Sequence, residues 1–173
     1  MSQLAEDKPS GWIASVFHAE VVVAVSLDEA WEILLRYEVW NPEFVGATIT
    51  SIAGERRCEG EIVLFKTKLP ENAPEPFLEF FAETVKVIPR RRISWYVYPR
   101  EGNAFRNFVD FALSPTADGV SFTICYYEQI TRLDTPLPEH RRESELVYRQ
   151  LAHTFKDYCE ENTQRAADST KTA

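Results

Sequence analysis

The sequence predicts an α+β fold in which a curved antiparallel sheet of about seven strands surrounds one long C-terminal helix, with two short helices after the first strand. Three observations carry this expectation. A Val-rich stretch over 18–25 runs straight into Ser26-Leu27-Asp28-Glu29, a helix-start signal. Stretches rich in β-branched and aromatic residues, broken by Gly, Pro and Asp-Gly, fill 48–130. One amphipathic stretch over 139–163 follows them, and as a helix it would reach ~37 Å at 1.5 Å per residue. A long helix with a single apolar stripe must cover that stripe, and the sheet is the partner available.

Taken in order, residues 1–15 carry Pro9, Ser10 and Gly11, show no sustained period, and read as an N-terminal arm. The valines of 18–25 mark the first strand. Ser26 and Glu29 then form a capping box: the Ser oxygen takes a free backbone N–H while the Glu side chain reaches back to the cap. Leu27, Ala30, Trp31, Leu34 and Leu35 follow at helical spacing. This helix should fade near Tyr37. Asn41-Pro42 must break it, since proline lacks a donor and restricts its neighbour, and Phe44 and Val45 are placed in the second short helix. Strands are expected over 48–53, 61–67, 77–88, 92–98, 105–113 and 120–130. Gly54 and Gly60 separate the first two; Pro70, Pro74 and Pro76 make 68–76 a loop; Pro89-Arg90 and Asp118-Gly119 turn the last two hairpins. Thr131 to Pro138 is a loop. In the closing helix Val147, Tyr148, Leu151, Phe155, Tyr158 and Cys159 form the apolar stripe, away from Arg142, Glu145, Arg149, Lys156 and Glu160. The small and polar tail, 164–173, should fray. A single domain over 16–163 results, without an internal linker.

Composition narrows the function. In 173 residues, 27 acidic against 19 basic side chains leave a formal charge of −8, so nucleic acid and anionic membrane surfaces are poor partners. The basic run Arg90, Arg91 and Arg92 reads as a solvated turn. Cys58, Cys125 and Cys159 are odd in number and lack CxxC spacing, which fits a reducing cytosol and no disulfide framework. No apolar run approaches the length of a membrane-spanning helix, and the first residues do not read as a signal peptide. His18, His140 and His153 show no ligand spacing, so neither a metal site nor another cofactor is expected. Nucleophile-elbow and phosphate-loop motifs are also missing from the sequence.

The aromatic content, 13% of the chain, is the strongest chemical signal. Strand alternation puts Val120, Phe122, Ile124, Tyr126 and Glu128 on one face, taken as inward. It likewise groups Asn107, Val109, Phe111 and Leu113, and Ile93, Trp95 and Val97. An inward lining of Trp95, Asn107, Phe111, Tyr126 and Glu128, roofed by Tyr148, Leu151 and Phe155, mixes apolar walls with a few polar groups, as ligand cavities do. Trp40, Phe65 and Phe80 join it as candidate ligand contacts. The plainer alternative is that these rings only fill a core. Glu128, a carboxylate facing a dry interior, is the candidate proton shuttle, with Asn107 and Tyr126 holding a carbonyl or enolate. Its plainer alternative is a strand-end carboxylate in water or paired with an arginine. Asp110 shares a face with Arg106 and reads as a surface ion pair. Cys125 and Cys159 read as small core residues.

A set of short motifs, in order, resembles a known superfamily. Val21–Ser26 followed by Leu27-Asp28-Glu29-Ala30-Trp31 looks like a first strand and helix start. Trp40-Asn41-Pro42, the hairpin with Pro89 and Arg92-Ile93-Ser94-Trp95, and the late turn Asp118-Gly119 follow. Over roughly 17–159 this order resembles the helix-grip fold of the START/Bet v 1-like (SRPBCC) superfamily, in its polyketide cyclase/dehydratase and lipid-transport branch. The resemblance implies a cavity between sheet and closing helix that takes a small hydrophobic ligand, aromatic or polycyclic. The loop 68–76, longer than is common there, would shape its mouth. The resemblance leaves open an enzyme of cyclase, dehydratase or lyase type using the same cavity. A third reading is an interaction module with a filled core, whose outward Tyr96, Tyr98 and Tyr127 would mark a homodimer interface.

Overall fold

A computed structural model describes residues 13–42, 47–69, 76–102, 105–131 and 136–171, with side chains described as far as Arg165. The elements are β1 (Ile13–Val23), α1 (Leu27–Leu34), α2 (Tyr37–Trp40), β2 (Thr48–Ala53), β3 (Ile62–Lys68), β4 (Phe77–Ile88), β5 (Arg92–Pro99), β6 (Phe105–Thr116), β7 (Gly119–Ile130) and α3 (Leu137–Lys171). The strands form one seven-stranded sheet, in the order β1-β7-β6-β5-β4-β3-β2, and each pair is antiparallel. α3 packs chiefly on β1 and reaches β7 and both short helices. This is the α+β helix-grip architecture that the sequence predicts.

β1 alternates cleanly: Ser15, Phe17, Ala19, Val21 and Val23 are buried and the residues between them exposed. It begins at Ile13, ahead of the valine run, because Ser15 and His18 hide the alternation from a reading based on β-branched content. The rest of the expected arm, residues 1–12, lies outside the described residues. The β6–β7 turn abuts the end of β1. Gly119 sits at φ +136°, and a Cβ there would fall 2.1 Å from the Val23 carbonyl oxygen. Only glycine meets both demands.

The capping box forms as expected. The Ser26 N–H donates to Glu29 Oε2 at 3.0 Å and the Glu29 N–H donates to Ser26 Oγ at 3.3 Å. The Ser26 side-chain hydrogen bond, then its backbone one, holds the Glu29 carboxyl below its usual range. A lowered folded-state pKa gives stability that is present above the unfolded value and lost as pH falls through the folded one. Ser26→Ala should therefore cost about 1 kcal/mol near neutral pH. In urea unfolding the difference from wild type should shrink in acid, once Glu29 is protonated.

A short helix, α2, directly follows α1; Phe44 and Val45, where the second short helix is expected, lie outside the described residues. Arg36, at φ −100° and ψ 51°, breaks the chain between the two helices. Trp40, 1% exposed, is thereby turned into the interior. It meets Phe111, Phe122 and Phe155 edge-on, with ring centroids 5.9, 5.9 and 5.0 Å away.

On α3 the buried stripe is Tyr148, Leu151, Ala152, Phe155 and Cys159, with Tyr158 packed beside it. Val147, expected on that stripe, is half exposed: one residue is about 100° of rotation, enough to leave the seam. The helix also continues through 164–171, where composition predicts fraying. Arg165 pairs with Glu161 one turn back at 3.3 Å.

On the convex face, Tyr96, Phe108, Tyr127 and Val16 stand side by side across β5, β6, β7 and β1. Asp110 also lies on that face, but its partners are Arg92 and Ser94, each at 2.6 Å, rather than Arg106. Ser94 is its register partner on the neighbouring strand. Arg106, four residues along its own strand, stands ~13 Å away at 3.3 Å per residue.

Candidate functional site

Between the sheet and α3 lies a cavity of about 370 Å³. Its floor follows from strand register. Trp95 pairs with Val109 and Val109 with Tyr126, while Val97 pairs with Asn107 in the next row. Phe111, Phe105, Phe80, Leu78 and Thr67 extend the floor and its rim, Asn41 joins after α2, and Tyr148 and Leu151 of α3 form the roof. The two valines, small residues set among rings, hold the floor back from the helix. Large side chains fill the other end: Phe122 and Phe155 lie 4.0 Å apart, centroid to centroid.

The candidate contacts therefore separate. Phe80, Trp95, Asn107, Phe111, Tyr126, Tyr148 and Leu151 line the cavity. Trp40, Phe65 and Phe155 do not; each is essentially fully buried and braces the lining from outside. Phe65 stacks on Phe80 at 5.1 Å, and Trp40 packs on Phe111. Tyr37 abuts Trp95 at 4.8 Å, and burial pushes its hydroxyl pKa up to about 12. Sequence reasoning missed Val97 and Val109 as lining residues although alternation had placed both inward, because it weighted rings over small side chains. It missed Leu78 and Thr67 as well, whose signal is their place beside the 68–76 loop, where 70–75 lie outside the described residues.

One end of the cavity is polar. Asn107 Nδ2 donates to the Tyr126 hydroxyl oxygen at 2.5 Å, and Tyr126 stacks on Tyr148 at 4.2 Å. Asn107 is 8% exposed, and its Oδ1 is buried with no partner. Glu128 lies beside it in register, with Ser15 on its other side. The Glu128 carboxylate does not line the cavity. It is 12% exposed and its Oε2 lies 2.6 Å from His140 Nε2. The partner is thus a histidine from the first turn of α3, neither water nor an arginine. The signal for this pair is the short β7–α3 connection, which brings the end of the strand and the start of the helix together.

Among the described residues, no three His, Cys, Asp or Glu side chains come together as metal ligands. Burial pushes the Cys159 thiol pKa up to about 12 and raises that of Cys125, so both are poor nucleophiles near neutral pH. No helix among the described residues is long and apolar enough to cross a membrane.

No family model matches the chain, and no curated protein matches it. Solved structures do. Ara h 8.0201 superposes with a TM-score of 0.64 at 10% identity, covering 86% of this chain and 99% of its own. The Zhui aromatase/cyclase of a Streptomyces species gives 0.61 at 14% identity, over 87% of this chain and 96% of its own. StfQ, a di-domain ARO/CYC from the steffimycin biosynthetic pathway, gives 0.63 at 14% identity; the match covers 88% of this chain and 53% of StfQ. At such identities the likeness is one of fold, and it agrees with the short motifs read in order from the sequence. The chain has the helix-grip fold that these structures share.

Proposed function

We propose that this protein binds one small hydrophobic molecule, with an aromatic or polycyclic body, in the cavity between the sheet and α3. The observation that carries the reading is the cavity itself: about 370 Å³, walled by Phe80, Trp95, Phe111, Tyr126, Tyr148 and Leu151, with its polar groups few and localised. Ligand sites of this kind run ≈ 300–1,000 Å³ and combine apolar walls with sparse polar groups. A packed interior leaves few voids larger than a water molecule, so a space of this size beneath a helix is a feature to be explained. Three unpaired cysteines support a reducing cytosol as its working place.

The test is a titration with aminoanthracene, a neutral dye that brightens in apolar surroundings. The reading expects saturable one-to-one enhancement, reversed by unlabelled polycyclic competitors. A signal that never saturates would refute it.

A second reading, cyclase-type catalysis in the same cavity, is favoured by the Asn107–Tyr126 pair, which could orient a substrate oxygen. Glu128, held by His140 next to that pair, would move the proton. On this reading Glu128→Gln abolishes turnover of a polyketide-like substrate and spares its binding. An unchanged rate would remove Glu128 from the chemistry.

A further inference from the structure

The cavity is blind at one end. Its wall can be followed along four elements. On β6 the inward residues Phe105, Asn107, Val109 and Phe111 border it, and the next, Leu113, is buried outside it. On β5 Val97 and Trp95 border it and the buried Ile93 does not. On β7 Tyr126 does and the buried Ile124 does not; on α3 Tyr148 and Leu151 do and Phe155 does not. Ile93, Phe111 and Ile124 form one register row across β5, β6 and β7, so the space stops at the same row on all three strands. Phe111 is the member of that row that faces the cavity. Its ring stacks on Phe122 at 5.9 Å and meets Trp40 and Trp95 edge-on at 5.9 and 5.3 Å. A ring backed in this way cannot swing aside without moving a close-packed interior. The other end meets solvent: Leu78, paired with Thr67, is 39% exposed, and Phe105 is half-buried.

We infer that Phe111 is the end stop that sets how deep a guest can go, so that the cavity selects a compact ring system rather than a long rod or chain. The inference rests on the cavity reading above and specifies the ligand's size for that site. From Asn107 to Phe111 the strand advances only four residues, ~13 Å at 3.3 Å per residue. The volume, about 370 Å³, also lies near the lower limit for ligand sites, ≈ 300–1,000 Å³. Hydrophobic gain follows the apolar area removed from water. A guest that already reaches Phe111 can extend only toward the open end, where added length stays wet. Affinity should therefore level off once a guest spans the depth. Removing the Phe111 ring joins the vacated space directly to the cavity, because that ring is part of its wall.

The probes are 4-hydroxybiphenyl and 4-hydroxy-p-terphenyl, rods of two and three para-linked rings with the same phenol head. Each would be measured by displacement of aminoanthracene from wild type, Phe111→Ala and Phe111→Leu. In wild type the third ring should change the affinity by less than about threefold. In Phe111→Ala the longer rod should bind about tenfold or more tightly than the shorter, the scale of burying one further ring. The shorter rod should bind this variant as it binds wild type, which also shows that the variant is folded. Phe111→Leu removes less of the side chain and should give a smaller gain in the same direction; it decides the matter if the alanine variant does not fold. A tenfold gain from the third ring in wild type, or no gain in either variant, would overturn the end-stop inference while leaving the cavity reading intact. Absence of binding by both rods to wild type, together with absence of dye binding, would overturn both.

Discussion

Val109→Phe should abolish ligand binding without destabilising the protein. Val109 is 7% exposed and occupies the middle of the cavity floor, between Trp95 on β5 and Tyr126 on β7. A phenyl ring at this inward position grows into empty space rather than into packed atoms. Enlarging a side chain in a filled core typically costs 1–3 kcal/mol, because rotamers and backbone must move. Here the added carbons instead gain contacts that the cavity denies to its present lining. Dye affinity should fall by at least about tenfold, a loss of about 1.4 kcal/mol, while the melting temperature holds or rises. A large drop in stability would mean that the space is already filled. Unchanged affinity would mean that the dye binds elsewhere.

Trp40→Ala should have the opposite profile, a large stability loss with an indirect effect on binding. The ring is 1% exposed and held by three aromatic neighbours, and its Nε1–H donates to the Leu34 carbonyl at 3.4 Å. Truncating a buried Trp typically costs 3–5 kcal/mol through lost transfer energy and the void left behind. Set against the 5–15 kcal/mol that stabilises an ordinary domain, this is a large share. Urea unfolding should show the midpoint falling steeply. If the loss were below about 1 kcal/mol, the α2 residues would not be part of the core in solution.

Much of this arrangement is legible in the sequence because it depends on short-range rules. The Asp118-Gly119 turn sets the β6–β7 register, and the alternation of Asn107, Val109 and Phe111 against Val120, Phe122, Ile124 and Tyr126 then selects the inward face. The Ser26–Glu29 box is legible for the same reason. What escapes depends on three-dimensional packing. In β4 a bulge between Thr84 and Lys86 shifts the register, so that Ala82 and Thr84 face inward before it and Val87, rather than Lys86, packs against the core after it. One extra residue changes the face and leaves no compositional mark. Trp40, Phe65 and Phe155 share the periodicity of true lining residues; only the packing of rings behind rings separates a wall from its brace. The Glu128–His140 pair joins elements that no periodicity relates. Ala152, wholly buried on the α3 seam, is too small to register as an apolar signal.

The central claim is that a guest enters the space between sheet and helix, and methyl-resolved NMR during a fluorene titration addresses it most directly. The methyl signals of Leu78, Val97, Val109 and Leu151, all in the cavity wall, should move together and saturate. Those of Val23 and Val120, paired and buried at the other end of the sheet, should stay in place. Shifts confined to the exposed Leu146 and Val147, or no saturable shift at all, would contradict the account.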